Sequence, residues 1–161
     1  MDLTTLFTMQ RELDTYIQKN QLVAKDVFKE KGLALLVELS ELANETRCFK
    51  FWSTKGPSER DVILEEYVDS IHFLLSLGIE KRLDTLKVWP TGEVEGNLTE
   101  VFLQTFNAIH DFIARKDMES YENVWIHYGT IAKRLEVSYI EIIEAYVEKN
   151  EENYKRQQTG Y

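Results

Sequence analysis

Cysteine is almost missing from this 161-residue chain. Cys48 stands alone, so an internal disulfide framework is excluded and a reducing, cytoplasmic setting is expected. Proline occurs only at Pro57 and Pro90 and glycine seven times, too few for the turn-dense connections of sandwiches and barrels. No apolar run approaches the roughly 18 residues of a membrane span. The opening residues, MDLTTLFTMQRELD, are amphipathic and acidic, unlike a secretory leader or a transit peptide. Basic side chains are scarce relative to acidic ones, 19 against 28, giving a formal charge of −9. Neither a nucleic acid polymer nor a membrane surface is therefore an expected partner. His72, His110 and His127 show no triad-like arrangement, and His72 reads as a packing or supporting residue rather than a ligand.

Apolar positions recur at three- and four-residue steps, the helical period, and alternating strand patterns are rare. The expectation is one all-α domain over residues 1–161, a bundle of five to six helices. The first helix runs from Leu3 to Lys19, with Leu6, Met9, Leu13 and Ile17 on one side and Gln10 near that stripe. A second spans about Val27 to Phe51, followed by a loop at Trp52–Pro57. Ser58, with Asp61 three residues on, predicts the cap of a third helix that reaches about Leu77 and stops at Gly78. After a connector at Glu80–Gly96, Asn97 with Glu100 opens a helix through Arg115. Its apolar surface is wide enough to belong either at the centre of the core or in a subunit interface, so a homodimer is expected. A helix at about Met118–Leu135 and a last one from Ser138 complete the chain.

The chemistry concentrates in the most hydrophobic of these helices. Glu38 and Glu41 form Glu-x-x-Glu within LALLVELSELANETRCFKFW, and Glu66 and Asp69 form Glu-x-x-Asp within LEEYVDSIHFLL. Residues three apart share a helix side, so each pair points one way. A single such pair is ordinarily solvated surface. Here both pairs lack interleaved Lys or Arg and sit among Leu, Val and Ile, where an unpaired carboxylate is expensive. Four carboxylates on two facing helices suit hard, oxygen-seeking cations, Mg²⁺ above all with Mn²⁺ as a substitute, acting on a phosphate-bearing substrate. A di-iron centre is disfavoured, since Asp69-Ser-Ile-His72 is the only approach to the Glu-x-x-His motif. Near the end, Lys149, Asn153 and Arg156 follow i, i+4, i+7 and share a side with Tyr146. That side reads either as a phosphate grip or as a solvated terminus favourable to the helix dipole.

Taken together, MQRELD, the first pair in ELANETRCFKFW, the second in DSIHFLLSLG and the ending KNEENYKRQQTGY resemble the dimeric dUTP diphosphatases. Those belong to the all-α nucleoside triphosphate pyrophosphohydrolases. The resemblance spans nearly the whole chain. It implies a four-helix metal-binding core that cleaves dUTP to dUMP and diphosphate, with consumption of dUDP left open. It implies that Glu38, Glu41, Glu66 and Asp69 bind Mg²⁺ and that Glu38 orients the attacking water. Gln10 would read uracil, Trp52 and Phe73 would pack near the nucleoside, and Lys149, Asn153, Arg156 and Tyr161 would hold phosphate. Asp14 departs from the asparagine of some relatives. A broader, MazG-type pyrophosphohydrolase and a non-catalytic helical interaction module are the alternatives.

Overall fold

The computed structural model describes residues 1–22 and 26–160. Among them are six helices and no strand: α1 (Thr4–Gln21), α2 (Phe28–Thr46), α3 (Arg60–Glu80), α4 (Leu98–Arg115), α5 (Met118–Arg134) and α6 (Tyr139–Gln158). The expected all-α fold is the one observed. α2 lies along α3 and α4 along α5, while α3 also meets α1 and α6. Helix α3 is consequently buried on nearly every side between Tyr67 and Gly78. A helix that is apolar all round belongs in such a central position. From α2, Leu35, Leu39 and Leu42 are fully buried at i, i+4 and i+7. Each contributes roughly 1.5–3 kcal/mol relative to exposure.

Local chemistry fixes the helix starts at Asn97, Asp117 and Ser138. Asn97 accepts from the Glu100 backbone N–H at 3.0 Å while the Glu100 carboxylate accepts from Asn97 N–H at 2.9 Å. Ser138 and Glu141 make the same reciprocal pair at the start of α6. Asp117 caps α5 by accepting from Ser120 N–H at 2.9 Å.

Three expectations are corrected, and one left open is decided. Ser58 does not cap α3, which begins beyond Glu59 without a side-chain cap; its hydroxyl donates instead to the Glu45 carboxylate. Helix α2 ends at Thr46 rather than Phe51, because Arg47 turns left-handed (φ 57°). The Arg47 guanidinium then holds the following loop by donating to Ser53 Oγ at 2.8 Å and Lys55 O at 3.2 Å. Gly78 lies inside α3 and does not end it, since its missing side chain makes room for Tyr121. The wide apolar surface of α4 is consumed by the chain's own core: Val101, Phe102, Ala108, Ile109 and Phe112 are buried, and Leu103 is the large residue left exposed. The first of the two readings of that helix is therefore the one found.

The connector after α3 is a fixed strap. Leu3 N–H donates to Lys87 O, and Trp89 N–H to Met1 O, each at 2.8 Å. Trp89 is buried edge-on against Trp125, their centroids 4.8 Å apart, and donates its indole N–H to Trp125 O at 2.8 Å.

Candidate active site

A cavity of about 410 Å³ opens between α1, α2, α3 and α6, its lining including Glu38, Asp69, Gln10 and Asp14. Glu38, Glu66 and Asp69 each bring one carboxylate oxygen within 4.8 Å of the others. The i, i+3 step on α3 places Glu66 beside Asp69, and packing of α2 on α3 delivers Glu38. Burial is the main reason all three hold protons more tightly than usual. Glu38 is pushed up to about 8 by burial first, then by Asp69, Glu41 and Glu66. Glu66 is pushed up to about 7 by burial, then by Asp69 and Glu41. Asp69 rises less, to about 6, because Lys149 opposes the effect of burial. Glu38 Oε2 is buried with no hydrogen-bond partner among the described residues. An unpartnered buried acceptor amid mutually repelling carboxylates is a donor set that fits a divalent cation. Glu41 sits differently: it is exposed and lies outside the three-oxygen cluster. The same side of α2 exposes Leu33 and Val37, so this helix carries more solvent-facing surface than its apolar sequence predicts.

The basic side of α6 reaches the same cavity. Lys149 is buried, with its ammonium 2.8 Å from Glu65 Oε1 and 3.2 Å from Asp69 Oδ2. Burial disfavours its charge, but Glu65 and Asp69 outweigh that and raise its pKa. Asn153 and Arg156 line the cavity beyond it, and Arg156 also pairs with Glu152 at 2.5 Å. Tyr161 lies outside the described residues.

From α1 and α3, Gln10, only 3% exposed, and Phe73 also line the cavity. Gln10 Oε1 accepts from Tyr146 OH at 2.8 Å and pairs with His72 Nδ1 at 2.7 Å, while Nε2 donates to Asp14 Oδ1 at 2.9 Å. Burial raises the pKa of Asp14, against Lys31, Ser76 and Gln10, which lower it. His72 is pushed down to about 3, by burial first and by Lys149 second, so its ring is neutral. Trp52 is not brought here. It is 65% exposed in the loop after α2, stacked edge-on with Phe49 and Phe51, and does not line the cavity.

Lys31 and Ser76, which nothing in the sequence singles out, also belong to this site, together with Asp14, marked there only as a departure from asparagine, and Tyr146, marked only for sharing the basic side of α6. Two signals existed. Gln10 and Asp14 are four apart on one helix, and Tyr146 shares a side with Lys149. Neither spacing reveals that α1, α3 and α6 converge.

A family model described as dUTPase matches residues 2–161. No curated protein is matched by the chain.

Proposed function

From membership of the dUTPase family, which makes this chain a hydrolase cleaving dUTP to dUMP and diphosphate, we propose that the cavity between α1, α2, α3 and α6 is the catalytic site and that Mg²⁺ is its metal. The observation carrying this reading is the convergence of Glu38, Glu66 and Asp69 oxygens within 4.8 Å, with Glu38 and Asp69 lining a cavity of about 410 Å³. Those three residues would hold the metal, with the Glu41 carboxylate close enough to Glu38 to raise its pKa. When bound, a divalent cation would supply charge neutralisation along the triphosphate and would make a coordinated water more acidic. Glu38 would orient the attacking water through Oε2, a buried acceptor with no partner among the described residues. The water oxygen would bond to phosphorus as the phosphoanhydride P–O bond between the nucleoside monophosphate and diphosphate breaks, the water's proton passing to the Glu38 carboxylate, and diphosphate and dUMP separate. Lys149, Asn153 and Arg156 grip phosphate oxygens from α6, where an ammonium, an amide and a guanidinium face one way. Gln10 contacts the base and Phe73 closes the wall beside it; a steric wall at C5 is what excludes thymine, since a permissive pocket discriminates a methyl only about 10–200-fold.

The direct test is turnover of dUTP, dTTP, dCTP and UTP with and without Mg²⁺, with products identified. Release of dUMP and diphosphate from dUTP alone, and only with the ion, is the expected result. Comparable rates on dTTP or UTP would replace this reading with that of a broad MazG-type enzyme.

Thermal melting provides a second test that needs no substrate. The folded-state pKa values of Glu38 and Glu66, about 8 and 7, lie above their unfolded values of roughly 4.3. Their contribution is thus most favourable below about pH 4 and is lost as pH rises through 7 and 8. Without divalent ions, the melting temperature is expected to fall between pH 5 and 9. An ion at about 100 times its Kd adds about 2.7 kcal/mol, or roughly 5–10 °C for a chain this long. A pH-independent midpoint that ignores Mg²⁺ would sink the metal assignment. We also propose a homodimer, on the strength of exposed Leu33 and Val37 on one side of α2 and exposed Phe51 and Trp52 nearby in sequence. The same melts should then shift upward with protein concentration; an unchanged midpoint over a hundredfold range would argue for a monomer.

A further inference from the structure

Gln10 has little chemical freedom. An amide side chain offers two acceptor sites on oxygen and two N–H donors. The oxygen is occupied by Tyr146 OH at 2.8 Å and His72 Nδ1 at 2.7 Å, and one N–H by Asp14 at 2.9 Å. The direction of this chain is dictated from its far end. The other oxygen of Asp14 accepts from Ser76 Oγ at 2.7 Å. A carboxylate only accepts, so the nitrogen end of Gln10 must face it and the carbonyl must face Tyr146 and His72.

His72 is built for this contact. A neutral imidazole facing an amide oxygen must carry its proton on Nδ1. The opposite nitrogen, Nε2, is buried without a partner among the described residues, so the bond to Gln10 is the one polar contact the ring makes there. The ring also stacks on Tyr146, with centroids 4.2 Å apart and planes 17° from parallel. Two donors, one from α3 and one from α6, are thereby clamped on a single acceptor from α1.

We propose that Tyr146 and His72 are positioning residues that latch the Gln10 amide with its carbonyl turned into the protein, so that the base is offered one N–H donor and must present an acceptor. This rests on the reading of Gln10 as the base-contacting residue. Uracil carries an oxygen at C4, whereas cytosine carries an amino group, which would set donor against donor. A free amide can turn about its last torsion and offer oxygen to that amino group; a latched one cannot. Thymine shares the C4 oxygen, so the latch is blind to it.

The experiment compares kcat and KM for dUTP, dCTP and dTTP, with Mg²⁺, in the wild type, Gln10→Leu, Tyr146→Phe, His72→Phe and His72→Asn. Tyr146→Phe deletes one oxygen and keeps the ring. Its dUTP:dCTP ratio of kcat/KM is expected to fall about tenfold, the value of one hydrogen bond, through KM rather than kcat. Its dUTP:dTTP ratio should stay at the wild-type value. His72→Phe should behave likewise, and His72→Asn, whose amide nitrogen can stand where Nδ1 stands, should restore the preference. If Gln10→Leu leaves the dUTP:dCTP ratio unchanged, Gln10 does not contact the base and the latch falls with that reading. If Gln10→Leu collapses the ratio while Tyr146→Phe keeps it, or if Tyr146→Phe weakens all three nucleotides equally, the latch alone is overturned.

Discussion

Glu38→Gln is expected to lower dUTP turnover on the order of 10³-fold while leaving the fold intact. The change is nearly isosteric and removes one charge from the three-oxygen cluster. It also replaces half of the carboxylate's acceptor capacity with a donor, in a place where Oε2 is buried and without a partner. Loss of activity alone would not separate a catalytic role from damage to the fold. Stability makes the separation. Glu38 is pushed up to about 8 by burial first and then by Asp69, Glu41 and Glu66, so its ionised form opposes folding in the absence of cations. Without divalent ions at pH 8–9, Glu38→Gln should therefore melt no lower than the wild type, and above it once repulsion is relieved. Turnover retained above a tenth of wild type, with the same Mg²⁺ requirement, would remove Glu38 from the mechanism.

The largest expected effect on stability lies far from the chemistry, at Gly78. A Cβ built there would stand 2.5 Å from Tyr121 Cζ and closer still to the hydroxyl oxygen. Tyr121 cannot retreat easily, being fully buried between Phe112 and Trp125 and donating to Leu74 O at 2.7 Å. Overpacking costs about 1–3 kcal/mol and a displaced, unsatisfied hydroxyl another 1–3. The better helix propensity of alanine returns about 1 kcal/mol. Gly78→Ala should thus destabilise by about 1–5 kcal/mol, a fall of roughly 2–20 °C in Tm. Tyr121→Phe removes the nearest atom, so the double variant should be less damaged than the two single changes added together. A neutral or stabilising Gly78→Ala would show that the helix tolerates a side chain at this crossing.

Those two positions illustrate what the sequence could and could not convey. Helix starts at Asn97 and Ser138 were legible because a capping box is complete within four residues. The Glu66–Asp69 side was legible because a three-residue step fixes direction on any helix. Gly78 was misread as a stop because nothing local announces Tyr121, whose hydroxyl arrives from a helix more than forty residues on. The run at 47–52 is apolar enough to extend α2, yet Arg47 turns left-handed and leaves Phe51 and Trp52 in solvent. Glu41 shares its side of α2 with exposed Leu33 and Val37, and only the packing of that helix shows it. The polarity of Gln10 depends on partners from three separate helices, so no window along the chain contains it.

Lys149, lodged 3.2 Å from Asp69 and 2.8 Å from Glu65, gives the acidic wall an incumbent. A cation arriving at Asp69 trades places with an ammonium rather than settling into open ground. Its apparent grip is therefore the difference between two attractions, and weakening the resident one, for instance by discharging Glu65, shifts that balance without touching a single ligand atom.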